Sequence, residues 1–139
     1  MAGNYSDPAI AREILEKFKR FAVVGCSSDP RRASFRVSRY LMLQGYEVTP
    51  VNPHESQVHG QAAYPDLASV PHPLEVVDIF RRADEAGTHI DEAIDAGAKA
   101  VWMQLDVIDE QAAERAHQAG LLVVMDRCPA IDHPAFFGS

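Results

Sequence analysis

The chain has 139 residues, 47% of them hydrophobic and 24% charged, with a formal net charge of −7, which fits one folded domain over residues 1–139 and excludes disordered or fibrous classes. The acidic balance argues against a nucleic-acid partner, which needs clustered lysine and arginine to neutralise phosphates. No apolar run reaches the ~20 residues of a membrane span, and the polar start Met1-Ala2-Gly3-Asn4 lacks a signal-peptide pattern, so a cytoplasmic location with no membrane partner is expected.

Asp7-Pro8 reads as a helix cap with proline in the first turn, followed by Ile10, Ile14, Leu15 and Phe18 at helical spacing. Residues 21–24 form an apolar strand that breaks at Gly25 into a small, polar, arginine-bearing loop. Val37, Leu41 and Met42 then recur at helical spacing until Gly45 closes that helix. A second strand over 47–51 stops at Asn52-Pro53, because proline lacks a donor and restricts the residue before it. Residues 54–73 are rich in proline, glycine and histidine and read as turns around at most one short strand, with a turn of helix near 66–70. A strand over 74–80, a helix over 84–96, a strand over 100–105, a helix over 109–119 and a strand over 121–125 follow, and Cys128-Pro129 ends the sheet. This alternation makes an α/β protein: a three-layer, doubly wound parallel sheet of about five strands with helices on both faces.

In such a sheet ligands sit beyond the carboxyl ends of the strands, where strand order reverses, and a helix start after a glycine turn suits an anion. The first strand brings Gly25, Cys26, Ser27, Ser28, Arg31, Arg32 and Ser34 to that edge. The second brings Val51, Asn52 and Pro53, and the later strands bring Phe80, Arg81 and Arg82, then Met103 and Gln104. Basic groups on two of these loops, in an acidic chain, suit one small polyanion. Arg36 and Arg39 read equally well as the solvated face of the helix.

Nicotinamide binding is less well served. A dinucleotide site usually shows G-x-G-x-x-G and a carboxylate after the second strand, whereas this loop has Gly25 alone and the second strand ends on Asn52. The histidines, His54, His59, His72, His89, His117 and His133, show no metal-ligand spacing, and no catalytic set emerges. Cys26 and Cys128 are too far apart for a C-x-x-C motif. Cys26, at a glycine turn beside arginines where a thiol pKa can fall, reads either as a small packing residue or as a partner for a ligand thiol.

Gly25-x-Ser27, Gly45-Tyr46 before Val51-Asn52-Pro53, Gly60, Asp78, Trp102-x-Gln104 and Asp126-Arg127-Cys128 together resemble the stand-alone CoA-binding domain family. That family is similar to the amino-terminal CoA-binding domain of the succinyl-CoA synthetase alpha subunit. The resemblance runs from about residue 21 to residue 128 and implies a Rossmann-like fold that binds coenzyme A or an acyl-CoA. It implies that the loop from Gly25 to Arg32 holds the CoA phosphates and that Val51, Asn52 and Pro53 pack beside the adenosine. Phe80, Arg81, Arg82, Met103 and Gln104 would line the pantetheine side. One departure is visible: Leu105-Asp106 stands where family members commonly have glycine. The synthetase's phosphorylated histidine belongs to a separate domain, so no ligase activity is implied.

Binding rather than chemistry is therefore the expected function. An NAD(P)-dependent oxidoreductase and a CoA-responsive module regulating a partner enzyme are the alternatives. The apolar tail Pro134-Ala135-Phe136-Phe137 reads as packing surface and also fits a homodimer interface.

Overall fold

Five parallel strands in the order β2-β1-β5-β6-β7 make the central sheet of the computed structural model, which describes residues 4–71 and 73–138. In chain order the elements are α1 (Pro8–Lys17), β1 (Arg20–Val24), α2 (Ala33–Leu43), β2 (Glu47–Val51), β3 (Gln57–Val58), β4 (Gln61–Ala62), a 3₁₀ turn (Leu67–Ser69), β5 (Val76–Ile79), α3 (Ala83–Asp95), β6 (Ala100–Met103), α4 (Glu110–Gln118), β7 (Leu122–Val124) and α5 (Pro129–Phe137). The chain winds outward from β1 to β2 on one side, then crosses to β5 and proceeds through β6 and β7 on the other.

The two faces follow from the alternation of side chains along each strand. Phe21, Val23, Val76 and Trp102 pack with Ile14 and Leu15 of α1 and Val37 and Leu41 of α2. Ala22, Val24, Val77 and Ile79 face the other way, against Ala86, Ile90 and Ala93 of α3 and Ala112, Ala113 and Ala116 of α4. The alanines of α3 and α4 are small, so these two helices approach the sheet closely. Burying each of the larger side chains contributes roughly 1.5–3 kcal/mol, so this double-sided packing dominates the fold. Trp102 is fully buried and its indole N–H donates to the Arg127 carbonyl at 2.8 Å, satisfying the one polar atom its burial would otherwise strand.

Three local expectations change. The 54–73 segment holds an antiparallel two-strand hairpin, β3–β4, rather than at most one strand. The chain beyond Cys128 continues as α5, whose interior Pro134 lacks an N–H and so masks the helix in the sequence. β5 is shorter than the apolar run 74–80, because its pairing with β1 spans only Val76 to Ile79. The Glu75 carboxylate instead accepts the backbone N–H groups of Lys19 and Arg20, each at 2.9 Å. No helix among the described residues is long and apolar enough to cross a membrane.

Candidate functional site

The reversal of strand order falls between β1 and β5, and the carboxyl ends of these two strands are tied together. The Phe80 N–H donates to the Val24 carbonyl at 2.9 Å, and the Gly25 N–H donates to the Val51 carbonyl at 2.8 Å, so β2, β1 and β5 terminate as one unit. Gly25 has a positive φ of 82°, and a Cβ there would sit 2.3 Å from the Phe80 carbonyl oxygen. Only glycine fits this close approach.

Above this junction opens a cleft of about 690 Å³. Of the residues the sequence points to, Gly25, Ser27, Arg32, Ser34, Asn52, Phe80, Arg81, Arg82 and Gln104 line it. Cys26, Val51 and Met103 are instead buried in the core. Ser28, Arg31 and Pro53 are exposed outside the lining. Ser28 donates its N–H and hydroxyl to Glu55 at 2.7 and 2.9 Å. The Arg31 guanidinium grips both Asp29 oxygens, at 3.1 and 3.0 Å, and this pairing holds the Asp29 carboxyl below the usual range. Arg36 reaches back to the Arg31 carbonyl at 2.7 Å and braces the same loop.

Several of these groups have structural duties. Ser34 Oγ accepts the Ser27 N–H at 3.0 Å, fastening the loop to the first turn of α2. The Asn52 amide donates to the Cys26 carbonyl at 3.0 Å while its oxygen accepts the His54 N–H at 2.9 Å. Asn52 thus ties the loop after β2 to the loop after β1.

Cys26 is fully buried, and its thiol donates to Ser38 Oγ at 3.6 Å. Burial pushes its pKa up to about 11, the reverse of the lowered value its place beside arginines suggested. Of the two readings of Cys26, this supports the small packing residue, since the sulfur is sealed in the core. His72 lies outside the described residues, and among those described no group of three or more potential ligands could hold a metal ion.

The helix starts separate into two kinds. Asp7 caps α1 by accepting the Ala9 N–H, and Asp109 caps α4 by accepting the Ala112 N–H. The residues before α2, α3 and α5 are Arg32, Arg82 and Cys128, and none makes a side-chain cap hydrogen bond. All three of these residues line the cleft. A helix start carries N–H groups without intrahelical partners and a partial positive charge, most plainly at α2; the first turn of α3 also holds Asp84 and Glu85, and α5 opens on Pro129, which has no N–H to offer. The sequence places the third helix from residue 84, an aspartate, and shows no helix after Cys128, so these two starts were not legible in it.

Two of the lining residues also hold a buried polar atom without a partner. Gln104 is buried, and its Oε1 has no hydrogen-bond partner among the described residues; neither has the buried Nε of Arg81. Both residues line the cleft. Beneath the junction, Asp78 of β5 is fully buried with both oxygens unpartnered, and desolvation raises its pKa well above the usual carboxylate value. On the far wall, Asp106 adopts left-handed backbone, φ 67°, and its N–H donates to Asp126 at 2.8 Å. Aspartate is among the residues that tolerate this conformation, which accounts for a loop built here without glycine.

A glycine turn at the switch point of a doubly wound parallel sheet, opening on a cleft ringed by uncapped helix starts, defines a Rossmann-like α/β protein with a ligand site at its strand ends. The chain belongs to the CoA binding domain family, whose sequence model matches residues 19–134. It is 34% identical over 122 residues to the uncharacterized protein YneT of Bacillus subtilis (strain 168), covering 88% of this chain and 90% of that one. A solved structure, a hypothetical protein from Pyrococcus horikoshii OT3, superposes with a TM-score of 0.90 at 35% identity, covering 99% of this chain and 100% of that one. The alpha subunit of ADP-forming acetate–CoA ligase II from Pyrococcus furiosus is 26% identical over 121 residues, 79% of this chain but only 26% of the subunit. The chain therefore spans about a quarter of that ligase subunit's length.

Proposed function

We propose that the protein binds coenzyme A or an acyl-CoA in the switch-point cleft. The observation that carries this reading is the convergence of three uncapped helix starts, those after Arg32, Arg82 and Cys128, on one cavity. A ligand with several phosphates satisfies the free N–H groups at the start of α2, with the Ser27 hydroxyl and the Arg32 guanidinium at hand, while Arg82 is paired with Asp84 at 3.3 Å and Glu85 at 3.8 Å and contributes by exchanging those partners. Membership of the family and similarity to a subunit named for a CoA ligase support coenzyme A as that ligand.

In this reading the adenosine lies at the Val51-Asn52-Pro53 end, and the pantetheine runs past Phe80 and Arg81 toward Gln104. Pantetheine carries amides, and these would supply partners for the buried, unpaired Gln104 Oε1 and Arg81 Nε once those side chains turn into the cleft. Nicotinamide cofactors fit less well, because the second strand is followed by Asn52, an amide whose two polar atoms are already engaged, rather than by an acid, and the nearby Glu55 carboxylate is taken up by Ser28. Similarity to one subunit of a ligase adds a partner enzyme to the proposal, tested by pull-down with and without CoA.

Calorimetry with CoA, acetyl-CoA, NAD and NADP tests the reading. Binding of CoA or acetyl-CoA at micromolar strength or tighter, with little for the nicotinamides, is expected. Nicotinamide binding without CoA binding refutes it.

A further inference from the structure

Among the described residues that line the cleft, one is a thiol. Cys128 is 7% exposed, lines the cleft and stands at the N-cap of α5 without using its side chain as a cap. The other thiol, Cys26, is 0% exposed and hydrogen-bonded to Ser38. Both cysteines are free.

The position of Cys128 along the cleft follows from the backbone. The Arg127 N–H reaches the Met103 carbonyl at 3.4 Å, so the segment after β7 runs beside the end of β6, and Cys128 and Gln104, the next residues of each, line the same cleft. Gln104 is 6% exposed, lines the same cleft and has an unpartnered Oε1. In strand order the end of β6 lies three intervals from the end of β2, where Asn52 stands. At about 4.8 Å per interval this separates the two by roughly 14 Å across the phosphate-facing helix starts. A ligand whose nucleotide lies at the β2 end and whose phosphates sit between α2 and α3 extends its other end toward Gln104 and Cys128. In coenzyme A that other end is a thiol.

We propose that Cys128 is a thiol–disulfide exchange site for CoA-containing disulfides held in the cleft, an inference that rests on the CoA reading above. The Cys128 thiolate attacks the CoA-side sulfur of the bound disulfide. The substrate S–S bond breaks, a new S–S bond joins Cys128 to CoA, and the departing thiolate takes up the proton that Cys128 gave to solvent. No further oxidant is needed, because the incoming disulfide is reduced to a thiol as Cys128 is oxidised. A free thiol attacking Cys128 reverses the step and releases the protein sulfur. Gln104 is a positioning residue here, accepting an amide N–H of the pantetheine arm and holding the sulfur at Cys128.

The test treats the intact protein with CoA disulfide under non-reducing conditions and maps the adduct by peptide mass spectrometry, alongside calorimetry with reduced CoA. The same experiment uses pantethine, which offers the same disulfide without the nucleotide. The expected result is one CoA per chain on Cys128, formed at least about tenfold faster than the pantethine adduct because binding pre-positions the reacting sulfur. Cys128→Ser abolishes the adduct, and mapping on the wild-type chain keeps the test valid should that variant fold poorly. CoA binding in calorimetry with no adduct, an adduct on Cys26, or equal rates with pantethine overturns the exchange proposal and leaves the binding reading intact. Absence of both CoA binding and adduct overturns both.

Discussion

The carbonyl oxygen of Phe80 occupies the place where a side chain on Gly25 would begin, 2.3 Å from an ideal Cβ. This contact joins the ends of β1 and β5 at the point where strand order reverses, and it forms the floor of the cleft. Gly25 is also held at φ 82°. Alanine there meets both a left-handed backbone cost and a clash with main chain that cannot rotate away. Gly25→Ala is expected to destabilise the protein by about 3 kcal/mol, read from urea unfolding. It should also weaken CoA, and a variant with wild-type stability would refute the packing account.

Arg32 and Arg31 are neighbours with different surroundings. Arg32 lines the cleft at the uncapped start of α2 and makes no ion pair among the described residues. Arg31 is bound to Asp29, with its side chain 89% exposed. Arg32→Ala is therefore expected to lower CoA affinity by about tenfold, roughly 1.4 kcal/mol, and Arg31→Ala by much less. Pantetheine, which lacks the nucleotide phosphates, should lose little with either. Calorimetry on the two variants distinguishes them, and an equal loss for CoA and pantetheine would contradict a phosphate role for Arg32.

Asp78 gives a pH signature. Its folded pKa is raised well above the usual carboxylate value by complete burial, while in the unfolded chain it titrates near pH 4. Below that pH both states hold the proton. Above it only the folded state does, so unfolding releases a proton and stability falls as pH rises toward the folded pKa. Asp78→Asn removes this dependence. The variant should match the wild type near pH 4 and exceed it by on the order of 1–3 kcal/mol at pH 8. Parallel melting curves at the two pH values check it, and a constant difference would refute the titration.

Arg127 and Asp132 form a two-pronged pair at 2.8 Å for each contact, with the Asp132 side chain only 6% exposed. Arg127 also donates to the Ser6 carbonyl at 3.1 Å, so the pair binds α5 and the segment after β7 to the chain preceding α1. Asp132→Ala leaves a half-buried guanidinium without its carboxylate and is expected to cost about 3 kcal/mol. Because the same segment carries Cys128 into the cleft, CoA affinity should fall as well. Chemical denaturation and calorimetry together test this, and full retention of both properties would sink it.

The alternation of apolar runs with amphipathic stretches was enough to read α1, β1, α2, β2 and the later βα units, because each buries a stripe or a face whose spacing is visible in residues such as Ile14 and Ile90. α5 escaped that reading, since Pro134 breaks the expected helical pattern while the surrounding fold tolerates one missing hydrogen bond. The β3–β4 hairpin escaped it too, being two residues long on each side.

The information carried along the chain is local and periodic. Gly25 before an arginine-bearing loop, Asn52-Pro53 at a strand end and the recurrence of buried positions follow from backbone chemistry within a few residues, and they suffice for a doubly wound sheet with a ligand edge. The tertiary structure alone decided which of the edge residues share a cavity. Cys26 and Cys128 are both cysteines near loop starts, yet one is sealed in the core and the other faces the cleft. Arg31 and Arg32 differ in the same way, one engaged with Asp29 and one facing the cavity. Exposure and pairing are set by contacts between segments distant in the chain, such as Arg127 against Met103, Gly25 against Phe80 and Ser28 against Glu55. Such contacts have no period and leave no local trace, so the chain must fold before they exist.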